Sequence, residues 1–312
     1  MKIIFGGEVL RRTNPDRTII GGCETNVAVD VAQYGIESYL VSVLPNNSED
    51  IVNILKNYGV NTSYLRFGGG NIGTYTIDWK DGRRICSYDR KNSCFAQSTL
   101  SFDWEQILQG ADILHLSGIT PALSKKSCEA CFAAVKKAQE LNVKVSIDIN
   151  YRSALWSEEK ASQTLRDLCR YADIIFINED EARLLGFDAS GETLMDKGLF
   201  NKMANYLKEG YKAEVITTAA RIPLPNGGLG VQSIIWHSGK IYQSSIYPIV
   251  EMIDKSGAGD AYAAMVLYGI LQGLSMQEVV ELASATACLK HKYPGDFNQA
   301  PLEDIKSTLK LI

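Results

Sequence analysis

The sequence predicts an α/β fold, a doubly wound and mostly parallel sheet with helices on both faces and a small β-sheet lid. Two observations carry this. Apolar runs of strand length alternate with segments of helical periodicity along most of the 312 residues, and strands joined through helices require right-handed crossovers and a parallel sheet. Residues 72–88 break that alternation with two polar strand-like runs joined by Lys80-Asp81-Gly82, a hairpin signal outside the main core.

The elements follow in order. Ile3-Ile4-Phe5 reads as the first strand. Residues 24–34 place Val27, Ala28, Val31 and Ala32 on one helix face, and Gly35 closes the helix. A strand is expected over 39–44. Ser48 then precedes a helix carrying Ile51, Val52, Ile54, Leu55 and Tyr58, stopped by Gly59. After the hairpin, strands are predicted at 113–116, 143–149, 173–177 and 215–218. Helices are predicted at 124–141, 157–171 and 201–208. A second hairpin is expected over 234–249, turning at Ser238-Gly239, and the chain finishes with helices at 260–271, 275–291 and 302–311. With no repeat and no linker, residues 1–312 read as one domain, its lid built from about 8–20 and 66–95. Exposed strand edges on such a lid are seldom left bare, so pairing through the lid into a homodimer or higher homo-oligomer is expected.

Composition narrows the function classes. Hydrophobic residues make up 46% and charged residues 22% of the chain, as in a globular domain. The formal charge of −4, from 32 basic and 36 acidic residues, comes without a basic run and argues against a nucleic-acid partner. The apolar stretch in Met1–Glu8 is too short for a signal peptide and ends at Gly6-Gly7. The longest apolar run, 261–271, falls short of the roughly 20 residues that span a bilayer. A cytoplasmic protein without membrane association is expected. Seven scattered cysteines suit reduced thiols, and Cys128 and Cys131, spaced as CxxC within a helical pattern, read as buried small hydrophobes rather than a metal site.

The chemistry concentrates at Asp254-Lys255-Ser256-Gly257-Ala258-Gly259-Asp260. The helix that follows is apolar almost all round and therefore buried. Its glycine-rich start exposes backbone N–H groups at the positive end of the helix dipole, an anion site. A carboxylate beside an anion site can take the proton of a substrate hydroxyl as it attacks a phosphate, while the N–H groups hold the charge on the transferred group. The same Asp also suits a simple capping role. The chain has neither GxxxxGK[ST] nor a GxGxxG after the first strand, which excludes the common mononucleotide and dinucleotide loops. A second glycine turn, Gly21-Gly22-Cys23-Glu24-Thr25-Asn26-Val27-Ala28, also opens a helix. There Gly22 admits a ligand to the backbone, and Asn26 can both donate and accept.

Together, in this order, the two motifs resemble those of the ribokinase-like (PfkB) family of sugar kinases, with Asn178-Glu179-Asp180-Glu181 resembling the family's NxxE motif. The stretches Tyr88–Ser93, Gly118–Ser124, Asp148–Arg152 with Leu155–Ser157, and Lys290-His291 leading to Pro294–Asn298 resemble the 2-keto-3-deoxygluconate kinases within it. The resemblance implies ATP and Mg2+ as cofactors and 2-keto-3-deoxygluconate as the phosphate acceptor. Asp260 would be the base, with Gly257, Ala258 and Gly259 as the anion hole. Substrate contacts would fall to Gly22, Asn26, Tyr75, Tyr88, Arg90 and Arg152, the arginines suiting a carboxylate through paired N–H donors. Nucleotide contacts would fall to Asn178, Thr218, Asn226, Gly257, Gly259 and Lys290, with Glu181 acting on magnesium through water. A neutral sugar such as fructose, or a catalytically weak homologue that senses a sugar acid, are the alternative readings. The segment between Glu8 and Gly21 is shorter than the family pattern, which predicts a trimmed lid.

Overall fold

Ile3, Ile4 and Phe5 are fully enclosed, as are Ile113 and Leu114, which places both runs inside a sheet covered on both faces. The computed structural model describes residues 1–13, 18–80, 83–98, 101–189, 191–225 and 227–309. The chain runs β1 (Lys2–Gly6), β2 (Leu10–Arg12), β3 (Ile19–Gly21), α1 (Cys23–Gln33), β4 (Glu37–Pro45), α2 (Glu49–Asn57), β5 (Leu65–Gly68), β6 (Gly73–Lys80), β7 (Arg83–Asp89), α3 (Cys94–Gln97) and α4 (Trp104–Leu108). It continues β8 (Ile113–Ser117), α5 (Ile119–Leu123), α6 (Lys125–Glu140), β9 (Lys144–Asp148), α7 (Glu158–Cys169), β10 (Ile174–Phe176), α8 (Glu179–Leu184) and α9 (Lys197–Gly210). Then come β11 (Val215–Pro223), β12 (Leu229–His237), β13 (Lys240–Gln243), β14 (Tyr247–Pro248), α10 (Ala258–Leu271), α11 (Met276–Lys290) and α12 (Leu302–Thr308).

The main sheet has the order β13-β12-β11-β10-β9-β8-β1-β4-β5, with β14 beside β12. It is parallel from β11 to β5 and antiparallel from β11 to β13. Alternate side chains of a strand serve opposite faces. Ile3 and Phe5 enter one core with Val27, Val31, Met265, Leu267 and Leu282 of α1, α10 and α11. Ile4 enters the other with Ala134, Leu165, Phe200 and Met203 of α6, α7 and α9. Each enclosed aliphatic side chain contributes about 1.5–3 kcal/mol of transfer free energy. Local signals fix several helix starts: Ser124 and Ser275 form reciprocal capping boxes with Ser127 and Glu278, and Ser157 accepts from the Lys160 N–H.

A separate four-stranded sheet, β3-β2-β6-β7, forms the lid. Register matters here: β6 pairs antiparallel with β7, setting Tyr75 opposite Tyr88, while Arg12 on β2 lies parallel to Tyr75. The segment expected to be trimmed therefore supplies two lid strands. Residues 66–68, within the stretch assigned to the lid, belong to β5, which pairs with β4 at the edge of the main sheet. The strand expected to end at Thr218 runs on to Pro223, because it pairs along its whole length with β12. The segment 234–249 is thus the second of two successive hairpins. The last helix is described only to Thr308. Among the described residues, no helix is long and apolar enough to cross a membrane.

Candidate active site

The parallel strands end at one rim, where β9 delivers Asp148 and the turn after β10 delivers Asn178. The starts of α1 and α10 face the same space, and the lid strands roof it. The result is a cavity of about 390 Å³ lined by residues from all of these elements.

One corner of it is built by Gly257. This residue has φ 75° and caps α10 without a side-chain hydrogen bond, and a Cβ there would stand 1.8 Å from the carbonyl oxygen of Asp296. Only glycine fits. Asp254 ties the turn down: its Oδ1 accepts from the Ser256 N–H at 3.0 Å and hydroxyl at 2.7 Å, and its Oδ2 from the Gly295 N–H at 3.2 Å. The first N–H groups of α10, on Ala258, Gly259 and Asp260, have no acceptor within the helix, and all three residues line the cavity.

Asp260 stands at that corner, open to the cavity but walled by protein. Its Oδ2 accepts from Asn26 Nδ2 at 2.6 Å and its Oδ1 from the Cys23 thiol at 3.2 Å. Burial pushes its carboxyl up to about 7 despite those two donors, and the charges of Asp148 and Asp296 push the same way. A group poised there exchanges its proton near neutrality. Gly22, with φ 123°, leads into α1 so closely that a Cβ would meet the Glu8 carbonyl oxygen at 2.4 Å. This approach sets Asn26 one turn on.

The lid end is aromatic and cationic. Tyr75 stacks on Tyr88 with ring centroids 5.5 Å apart, and its hydroxyl donates to Asp296 Oδ1. The Arg90 guanidinium lies over the Tyr88 ring at 4.5 Å, and its Nη2 is 2.7 Å from Glu8 Oε1. Burial pushes the Glu8 carboxyl up to about 7, with Arg90 pulling down and Glu24 pushing up. Arg90 thus has an internal partner whose charge grows as pH rises through neutrality. Arg152 is exposed at the cavity wall, its Nη1 donating to the Tyr151 carbonyl at 3.1 Å.

Asn178 and Glu181 form the capping box of α8. Glu181 Oε2 accepts from the Asn178 N–H and Oε1 from the Tyr151 N–H, both at 2.9 Å. Burial and the neighbouring Asp148 hold the Glu181 carboxyl well above the usual carboxylate range. Two buried carboxyls that repel each other beside open space are hard oxygen donors of the kind magnesium takes.

Of the residues singled out in the sequence, the cavity brings together Asp260, Gly257, Ala258, Gly259, Gly22, Asn26, Tyr75, Tyr88, Arg90, Arg152, Asn178, Thr218 and Glu181. Lys290 is not among its walls. It is fully buried, and its Nζ donates to the Tyr293 carbonyl at 3.0 Å. Asn226 lies outside the described residues. Sequence reasoning missed Glu8, Cys23, Asp148, Asn150 and Asp296. The spacing Asp148-x-Asn150-x-Arg152, with every second residue polar at the end of an apolar strand, was the available signal for two of them.

The profile of the pfkB family of carbohydrate kinases matches residues 5–302. The crystal structure of 2-dehydro-3-deoxygluconokinase from Thermotoga maritima superposes with a TM-score of 0.92 at 33% identity, over 99% of each chain. The 2-dehydro-3-deoxygalactonokinase of Haloferax volcanii is 25% identical over 99% of this chain and 96% of its own. The 2-dehydro-3-deoxygluconokinase of Bacillus subtilis is 27% identical over 91% of this chain and 84% of its own. A mostly parallel sheet, a β lid and a carboxylate at the glycine-rich start of a buried helix are thus joined by a match across nearly the whole length: the chain belongs to the pfkB family of carbohydrate kinases.

Proposed function

We propose that this kinase transfers the γ-phosphoryl group of ATP to the 6-hydroxyl of 2-keto-3-deoxygluconate. The observation that carries the reading is the polarity of one cavity. A carboxyl poised near neutrality stands beside unpartnered helix N–H groups at one end, and guanidinium and tyrosine groups line the other. A sugar acid offers a hydroxyl to the first and a carboxylate to the second. Because Glu8 already compensates Arg90, Arg152 is the guanidinium that meets the substrate carboxylate, while Arg90 and Tyr88 form a rigid wall.

In this mechanism Asp260 Oδ accepts the proton of the 6-hydroxyl as the sugar oxygen bonds to the γ-phosphorus. The bond to the bridging oxygen breaks, and ADP leaves. The N–H groups of Ala258, Gly259 and Asp260 hold the charge that spreads over the transferred group. Asp148 and Glu181 would hold magnesium, directly or through its water, and the ion neutralises phosphate charge when bound. Thr218 and Asn178 line the nucleotide side.

A coupled ADP-release assay over 2-keto-3-deoxygluconate, 2-keto-3-deoxygalactonate and fructose tests the substrate. Equal kcat/KM on fructose would remove the carboxylate role of Arg152. That outcome is the second reading, and the Glu8–Arg90 pair favours it, since it leaves the lid end less cationic. Asp260→Asn should lower kcat by roughly 10²–10⁴-fold with sugar affinity kept. Wild-type turnover in that variant would remove Asp260 as the base. Among the described residues no further strand lies beside β7, which supports pairing through the lid. Light scattering at micromolar concentration should give a dimer or larger, and a monomer would count against it.

A further inference from the structure

We propose that Cys23 is a positioning residue for Asp260, its thiol donating to Oδ1 while the Asn150 amide holds the sulfur, so that the carboxylate is fixed facing the substrate hydroxyl. This rests on the reading of Asp260 as the base.

Distances choose the acceptor. Cys23 Sγ lies 3.2 Å from Asp260 Oδ1 and 3.8 Å from Asp148 Oδ2. The farther oxygen already accepts from Asn150 Nδ2 at 3.1 Å. The same Nδ2 lies 3.0 Å from the sulfur, so the thiol takes one hydrogen bond and gives another. Asn150 reaches both from a left-handed backbone, φ 40°, just past β9, a conformation that asparagine tolerates better than most residues. Asn26 holds the other oxygen at 2.6 Å. Asp260 is thereby gripped from α1 on both oxygens, and its χ rotation is stopped.

The thiol is suited to donate and not to attack. It is buried, 7% exposed, and its nearest carboxylate oxygen is Asp260 Oδ1. The groups that act on Asp260 are Cys23, Asn26 and Asp30 from α1, Asp148 from β9 and Asp296 from the turn after α11. Cys23 and Asn26 are the donors among them. Without the thiol, Oδ1 would face the neighbouring carboxylates with no proton to offset them.

The test is the pH dependence of kcat/KM in Cys23→Ala and Cys23→Ser beside the parent enzyme. Removing a donor to the carboxylate disfavours its charged form, so the acid limb in Cys23→Ala should move up by roughly 0.5–1 pH unit. Cys23→Ser, which keeps a donor, should bring it back. A purely structural cysteine would lower activity or thermal stability without moving the limb. An unmoved limb in the alanine variant, or a serine variant that shifts equally, overturns the inference. Asp260→Asn is measured alongside. If it is inactive and the limb is unmoved, the role of Cys23 alone falls, whereas an active Asp260→Asn removes the base and the thiol's role with it.

Discussion

Arg12 on lid strand β2 places Nη1 2.5 Å from Asp254 Oδ2, so the roof of the cavity is bonded to the acid that holds the anion-binding turn. The same nitrogen lies 3.7 Å from Asp296 Oδ1, which also takes the Tyr75 hydroxyl from β6. Two lid strands therefore end on two acids that flank Gly257. Arg12→Ala should lower kcat about tenfold, which corresponds to about 1.4 kcal/mol, with a smaller rise in the KM for sugar. Arg12→Lys should recover only part, since an ammonium does not reproduce the directed N–H of the guanidinium. Steady-state kinetics on both variants checks this, and an unchanged kcat in Arg12→Ala would separate the lid from the turn.

Arg90 and Glu8 are a second such pair, but their burial changes the arithmetic. Arg90 is 6% and Glu8 1% exposed. Removing Glu8 leaves the Arg90 charge without compensation, at a cost of about 3 kcal/mol, whereas a Glu8 carboxyl without Arg90 takes up a proton. Glu8→Gln should therefore destabilise strongly, and adding Arg90→Met should restore much of the loss, because the orphaned charge is gone. Urea melts of the two single variants and the double variant form the cycle. Strict additivity would show that the pair is not coupled. The KM for sugar should stay raised in the double variant if the Arg90–Tyr88 wall shapes the site.

The sequence made the fold legible where short apolar runs alternate with segments of helical periodicity. Ile3–Phe5 is apolar throughout because both faces of the sheet are covered. Leu10–Arg12 was not legible as a strand: three residues with two arginines carry no alternation, and pairing with β6 decides them. Each glycine turn was readable because its residues are neighbours along the chain, Gly21-Gly22 before α1 and Gly257–Gly259 before Asp260. Glu8 and Cys23 were not. Each acts through a partner more than 80 residues away, Arg90 and Asp260, and no local pattern announces such a contact. Lys290 is the reverse case: the resemblance implied a nucleotide contact, while at the end of α11 the side chain is buried and its Nζ donates to the Tyr293 carbonyl.

The two glycines of the anion-binding turn should respond differently to alanine. At Gly257 the left-handed backbone and the Asp296 carbonyl oxygen, 1.8 Å from the built Cβ, forbid a side chain. Gly257→Ala should thus both destabilise the protein and abolish turnover. At Gly259 a Cβ meets nothing within 4 Å, so the fold should tolerate alanine, although the methyl group enters space the transferred phosphate needs. Gly259→Ala should melt within about 1 kcal/mol of the parent yet lose roughly tenfold or more in kcat. Thermal melts beside kinetics decide, and loss of stability at Gly259 would contradict the open space seen there.

Stability of the ligand-free protein should fall as pH rises from about 6.5 to about 8. Burial raises the carboxyls of Glu8 and Asp260 to about 7 and lifts Glu181 as well. Over this window the folded state keeps protons that the unfolded chain has released, so the slope of unfolding free energy against pH is negative. For Glu8 alone the change is about 1 kcal/mol. Below about pH 6.5 the two histidines lowered by burial, His115 and His291, oppose the trend. His115, pushed down to about 3 by burial, stays neutral in the fold while the unfolded chain takes up a proton. Asp254, held low by Arg12 and Ser256 against its own burial, stabilises the fold above its ordinary range and loses that contribution only in stronger acid. Lys290, lowered by burial, acts toward the alkaline end, above this window. Urea midpoints measured across the window should decline for the parent and decline less for Glu8→Gln. A flat profile for the parent would mean that these carboxyls are solvated in the free enzyme, and an identical slope in Glu8→Gln would clear Glu8 of any part in it.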